Sequence, residues 1–295
     1  MKIKRTWITL SCLLIVALFV FYNREFPKKE SRKQTIPIKV LHGLPLVNVN
    51  IHGHALQLIL DLGSHSSSLS KEVMGEVQLT KTEKTTRSMD AYGKKLIHPV
   101  FSSSKVRIGN YLLPYLEFNE SKGFNLDFEP QTPKVLTYGK IGREPFLDKV
   151  LFIDRKRELC IVEKAHPNRK LDPKKYKQGE WIETEFNLDK GMGISLCLIT
   201  DSVGRKELIL DTGSNVSLID KSSSLQVPID LRNEIEKISL KLNNGVSLGT
   251  FSFYSFDFTN AGLQGILGFD FFDYYMVCID FLNKKIFLKT YNEHP

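Results

Sequence analysis

Leu208-Ile209-Leu210-Asp211-Thr212-Gly213-Ser214 is an apolar run that delivers a carboxylate into a glycine turn. Leu58-Ile59-Leu60-Asp61-Leu62-Gly63-Ser64 repeats it 150 residues earlier with six of seven positions identical. Taken singly, Asp, Gly and Ser are ordinary turn residues. Recurrence of the whole phrase is not ordinary, and it asks whether the sequence downstream repeats as well. It does: Ile141-Gly142-Arg143-Glu144-Pro145-Phe146 through Val162 aligns without a gap on Leu267-Gly268-Phe269-Asp270-Phe271-Phe272 through Leu288, at an offset of 126. Both windows carry an apolar-Gly pair and, twelve residues on, Ile-Asp (Ile153-Asp154 and Ile279-Asp280). The chain therefore holds two copies of one supersecondary unit, each contributing one aspartate.

An apolar strand, Asp-Thr-Gly-Ser and a later Ile266-Leu267-Gly268 before another strand resemble the aspartic protease pattern, and the wording from Gln264 to Phe272 is similar to the retropepsin-like group. Two such halves in one chain resemble a bilobal member such as pepsin, spanning roughly residues 36 to 290. The resemblance implies an all-β fold of two related β-barrel lobes, with Asp61 and Asp211 as the catalytic pair. Gly63 and Gly213 permit the tight turns, and the hydroxyls of Ser64 and Ser214 are expected to orient the carboxylates. By the same resemblance Tyr92-Gly93 lies near the tip of a flap hairpin, with Leu242-Asn243-Asn244-Gly245-Val246 as its counterpart. Two positions depart from the pattern. Thr212 keeps the hydroxyl that braces one turn against the other, but Leu62 does not. Lys140 stands where an apolar residue is expected before Ile141-Gly142.

Two carboxylates close enough to share a proton can supply both a base for water and an acid for a carbonyl oxygen, because like charges at that distance do not both ionise easily. The sequence thus points to an endopeptidase that needs no metal and no cofactor and acts on a peptide or protein substrate. The internal pairing makes a monomer sufficient. Leu62 and Lys140 support an alternative, a catalytically weak or inactive peptide-binding module of the same fold.

The N-terminus has a different character. Trp7 to Tyr22 is sixteen residues without a charge, preceded by Lys2, Lys4 and Arg5 and followed by Arg24, Lys28, Lys29, Arg32 and Lys33. At about 1.5 Å per residue it spans roughly 24 Å as a helix, a deficit against the ~30 Å hydrocarbon core that snorkelling flanks and local thinning absorb. No small-residue cleavage site follows it. We expect an uncleaved, single-pass transmembrane helix with the globular part on the extracytoplasmic side. Residues 1 to 34 carry eight Lys/Arg and two Glu, so most of the +8 net charge is juxtamembrane. That argues for lipid headgroups and against nucleic acid as the basic segment's partner.

The sequence divides into 1–34 (anchor and basic segment), 35–163 (first lobe), 164–180 (a Pro- and Lys-rich exposed linker) and 181–295 (second lobe). A short helix is expected over Leu231 to Leu240. His52 and His54 flank a hairpin glycine and lack a third ligand, so no metal site is expected. Cys160, Cys197 and Cys278 lie in apolar runs and read as buried, unpaired thiols.

Overall fold

Both aspartates are delivered by the last residues of a hairpin. Leu44–Ile51 pairs antiparallel with His54–Leu60 across the His52-Gly53 turn, where φ is 51° and 94°. The second half repeats this as Gly193–Thr200 against Gly204–Leu210. Alternation gives way to a continuous buried run (Leu58-Ile59-Leu60 and Leu208-Ile209-Leu210) just before each aspartate, because there the strand is covered on both faces. The structure, a computed structural model, describes residues 33–291 except 90–94, 122–123, 126–135, 168–169, 190, 192, 202–203, 221–234 and 259.

The two halves share one strand order. In the first, Leu44–Ile51, His54–Leu60, Gly139–Ile141, Ser67–Ser70, Tyr111–Ser121 and Lys95–Ile108 are hydrogen-bonded in sequence, and the last pairs back onto the first through Val49↔Ile108. In the second, Gly193–Thr200, Gly204–Leu210, Gly265–Leu267, Leu218–Asp220, Ser247–Phe256 and Ile235–Leu242 follow the same order and close through Leu198↔Leu242. Each half is a closed barrel without a free edge along that circuit. Register agrees at the short strand that carries the apolar-Gly element: Lys140↔Ile59 and Ile141↔Leu60 in one half, Ile266↔Ile209 and Leu267↔Leu210 in the other, all parallel.

A third layer joins the halves. Lys149–Asp154 and Tyr275–Asp280 pair antiparallel, with Phe152 opposite Cys278. Those two residues are equivalent under the 126-residue offset, as expected where a pseudo-two-fold axis passes between two copies of the same strand. One apolar core runs through both halves, from Leu58 and Leu60 to Leu208, Leu210, Phe269 and Phe272. From Gln34 onward the chain is one compact unit.

Several expectations need adjustment. The helix expected over Leu231 to Leu240 is instead a strand from Ile235 onward (Ile235–Leu242), while 231–234 lie outside the described residues. Its alternating burial serves a hairpin with Ser247–Phe256 across the Asn244-Gly245 turn. The connection at 164–180 is not simply exposed: Tyr176 stacks on Phe152 at 5.0 Å, and with Trp181, just past its end and edge-on to the same ring, it covers one face of the joining sheet. Cys160 and Cys278 are buried, but Cys197 is half-buried and accepts a hydrogen bond from Arg205 Nε. The expected transmembrane segment lies outside the described residues. Among the described residues no helix is long and apolar enough to cross a membrane.

Candidate active site

Each aspartate is fixed by the same set of backbone bonds. Asp61 N–H donates to Ile141 O and Asp211 N–H to Leu267 O, both at 2.9 Å. Arg143 N–H then donates to Ser64 O (2.9 Å), and Phe269 N–H to Ser214 O (2.7 Å), tying the turn after each aspartate to the residue after each apolar-Gly pair. A buried serine completes the brace in both halves. Ser67 Oγ accepts from Gly142 N–H and Ser217 Oγ from Gly268 N–H, each at 3.1 Å, and their own amides donate to Glu144 and Asp270.

The two turns meet back to back. A methyl group placed on Gly63 would lie 2.3 Å from the Asp211 carboxyl carbon, and one on Gly213 2.6 Å from that of Asp61. Each glycine is thus the surface against which the opposite carboxyl rests, a role set by close approach. Thr212, fully buried, crosses between the halves: its Oγ1 accepts from Leu62 N–H at 2.9 Å and donates to Leu60 O at 2.5 Å. Leu62 has no hydroxyl to return these bonds, and its side chain is part of the main core. Bracing of the two turns is therefore one-sided.

The oxygens that orient the carboxyls differ from those expected. Asp61 Oδ1 accepts from Ser64 N–H (2.9 Å) and Asp211 Oδ1 from Gly213 N–H (2.8 Å), so main-chain amides of the turns do the work assigned to hydroxyls. The Ser214 hydroxyl donates to Val216 O at 2.7 Å instead. That of Ser64 accepts from Lys140 Nζ at 2.5 Å. In a turn this tight, N–H groups converge on the Asp side chain and leave the following hydroxyl free to face elsewhere. Tyr92 and Gly93 lie outside the described residues; the strands that lead to them, Thr80–Met89 and Lys95–Ile108, pair antiparallel as far as Met89↔Lys95.

Two charged residues take roles at the site that the sequence does not assign them, Lys140 standing out there only as a departure from the apolar pattern. Lys140 reaches over the Asp61 turn, its Nζ 2.6 Å from Asp61 Oδ2. Arg143 is fully buried, donating to Gly63 O at 2.7 Å and Asp189 O at 2.8 Å, and thereby holds the turn below Asp61 against the strand Asn187–Asp189 of the second half. The available signal was comparative: at the 126-residue offset these positions are Ile266 and Phe269, so two apolar sites in one half are cationic in the other.

These charges split the pair. Burial alone would raise the Asp61 carboxyl, but the Lys140 charge and hydrogen bond, aided by Asp211 and the Ser64 amide, hold it below the usual range. Asp211 is pushed up to about 7, first by burial and then by the Asp61 charge and the hydrogen bond between the two carboxyls. Between the depressed Asp61 titration and about pH 7 the pair therefore carries one proton, held on Asp211 and shared toward Asp61.

A solved structure shares this architecture. The structure of an aspartic proteinase from Irpex lacteus superposes with a TM-score of 0.56 over 88% of this chain and 97% of that one, at 13% sequence identity. The fold is that of an aspartic proteinase. No family model matches the sequence, and no curated protein does.

Proposed function

We propose that this protein is an aspartic endopeptidase held at a membrane by its N-terminal segment. The observation that carries the proposal is the pair itself: two equivalent carboxyls from duplicated turns, hydrogen-bonded to each other, one favouring the ionised form and the other the protonated form. In that state a water between them loses a proton to Asp61 while its oxygen bonds to the peptide carbonyl carbon, and Asp211 gives its proton to the carbonyl oxygen. Return of a hydroxyl proton to Asp211, with transfer of the Asp61 proton to the amide nitrogen, breaks the C–N bond and regenerates the pair. An extended substrate would bind by strand addition in the cleft. Incubation of the full chain, purified in detergent, with a peptide library should yield cleavage that pepstatin blocks. Activity should fall as pH rises through about 7, where Asp211 loses its proton. Rate per molecule should not depend on protein concentration, because a single chain supplies both aspartates.

A second reading, a peptide-binding module with weak or no catalysis, is favoured by the ion pair of Lys140 with the carboxylate that must act as base. Under it, the library peptides would bind without being cut.

Membrane attachment rests on the uncharged run from Trp7 to Tyr22 and the basic residues on either side. Carbonate washing should leave the mature protein in the membrane pellet. A soluble mature form beginning near residues 20 to 30 would instead identify a cleaved signal. The extracytoplasmic placement of the globular part is proposed from the short basic N-terminal end, which signal-anchors usually leave in the cytoplasm.

A further inference from the structure

We propose that Lys140 is a positioning residue that fixes which aspartate is base and which is acid, by holding Asp61 as the carboxylate and leaving the shared proton on Asp211. This deepens the peptidase reading and rests on it. The geometry is asymmetric where the backbone is symmetric. Lys140 and Ile266 occupy equivalent places on equivalent short strands, paired in the same register with Ile59 and Ile209. Only the first places a cation at the aspartate, 2.6 Å from Asp61 Oδ2 and 2.5 Å from Ser64 Oγ, with the Lys140 side chain 20% and the Asp61 side chain 11% exposed. A pair related by a pseudo-two-fold axis has no intrinsic reason to prefer one proton location. A cation bound to one member supplies it, because the attraction at this range and burial is poorly screened.

Among the described residues, three charged groups bear on the pair directly or through one another. Lys140 faces it from the strand Gly139–Ile141. The Arg143 guanidinium, beneath the Asp61 turn, interacts with both carboxyls and is itself met by Asp189 from the second half. Arg143 also acts on both members, Asp61 before Asp211, but its guanidinium donates to the main-chain carbonyls of Gly63 and Asp189, whereas Lys140 contacts the Asp61 carboxylate directly. The Lys140 charge also lowers Asp211, the more distant carboxyl, although burial and the Asp61 charge outweigh it there. Removing the cation should therefore move both titrations upward.

The test compares wild type, Lys140→Met and Lys140→Arg, each as full chain in detergent. Two readouts are needed: the pH profile of kcat/KM on a cleaved peptide, and the titration of the aspartate carboxyl carbons by NMR, assigned through Asp211→Asn. In wild type the Asp61 carboxyl should titrate below the ordinary aspartate range and Asp211 above it. In Lys140→Met the acid and alkaline limbs of the profile should both shift to higher pH, with the Asp61 resonance following. Lys140→Arg should keep the low acid limb even where the rate falls. A Lys140→Met profile with unmoved limbs would overturn the proposal, whether the rate fell, as for a structural lysine, or rose, as for one that merely blocks the base. Should Lys140→Met fail to fold, wild-type titration decides: two carboxyls titrating together in the ordinary range overturn it. If wild type cuts no peptide, the peptidase reading fails, yet the carboxyl titration still tests the charge assignment.

Discussion

Under the proposed peptidase activity, Gly63→Ala and Gly213→Ala will each abolish peptide cleavage and lower thermal stability, whereas Gly75→Ala will leave both near wild type. The added methyl would sit 2.3 Å from the Asp211 carboxyl carbon in the first variant and 2.6 Å from that of Asp61 in the second, closer than carbon atoms can approach. Neither site can give way cheaply. The carboxyls are bound by turn amides at 2.9 and 2.8 Å, and the turns are tied to the apolar-Gly elements by backbone bonds. The strain must then be relieved by separating the turns, which parts the two carboxyls and breaks the Thr212 bridge to Leu60 and Leu62. Overpacking of this kind costs about 1–3 kcal/mol, and the catalytic loss is larger because geometry within a fraction of an ångström is what lets the pair share a proton. Gly75, in the short helix Lys71–Glu76, has nothing within 4 Å of the corresponding position, so its methyl meets open space. Assays of kcat/KM and a thermal melt on the three variants decide the matter. An active Gly63→Ala or Gly213→Ala protein would show that the turns do not meet as described.

The duplication made the architecture legible. Two copies of an apolar run ending in Asp, each followed by an apolar-Gly element, required two equivalent units, and the strand orders, registers and closures of the two halves are the same. Asp61, Asp211, Gly63, Gly213 and Thr212 come together because the duplicated turns that carry them meet back to back, an arrangement the repeat itself implies. The features it does not reveal are contacts made in one half only. Lys140 lies 79 residues from Asp61 in sequence, and only parallel pairing with Ile59 brings its ammonium above that carboxyl. Along the chain it is a defect in an apolar element; in the structure it is a cation in direct contact with Asp61. Arg143 gives no local signal for the same reason, since its partners are carbonyls of Gly63 and Asp189. In the sequence Leu62 is a lost hydroxyl; in the structure its side chain joins the core, so Leu62→Thr would trade apolar packing for one crossing bond. The Pro- and Lys-rich segment 164–180 hid Tyr176, whose ring the charges around it gave no reason to bury.

Asp61→Asn and Asp211→Asn should both abolish cleavage but change stability in opposite directions. Asp211 has a raised pKa, so it contributes stability that is present below the ordinary aspartate range and is lost as pH rises from about 4 through about 7. Above that, folding must bury its charge beside Asp61. Asparagine, neutral at every pH, removes this penalty, and Asp211→Asn should melt higher than wild type at pH 8 with a smaller gain at pH 4. Asp61 has a depressed pKa and contributes in the other sense, its stability being present above the ordinary range and lost as pH falls through its folded value. Asp61→Asn leaves the Lys140 ammonium, only 20% exposed, without its carboxylate at 2.6 Å. Removing one member of a buried pair costs about 3 kcal/mol or more, discounted here for partial exposure. That variant should melt lower than wild type at neutral pH, and pairing it with Lys140→Met should recover part of the loss because no orphan charge remains. Glu144 is also pushed up to about 7, chiefly by burial, and adds a decline of the same sign to wild type and both variants between pH 4 and 7. The comparison must therefore be made variant against wild type at each pH. Melting curves at pH 4, 6 and 8 read out the prediction directly. Equal shifts for the two asparagine variants at pH 8 would mean that the pair is electrostatically symmetric and that Lys140 does not distinguish its members.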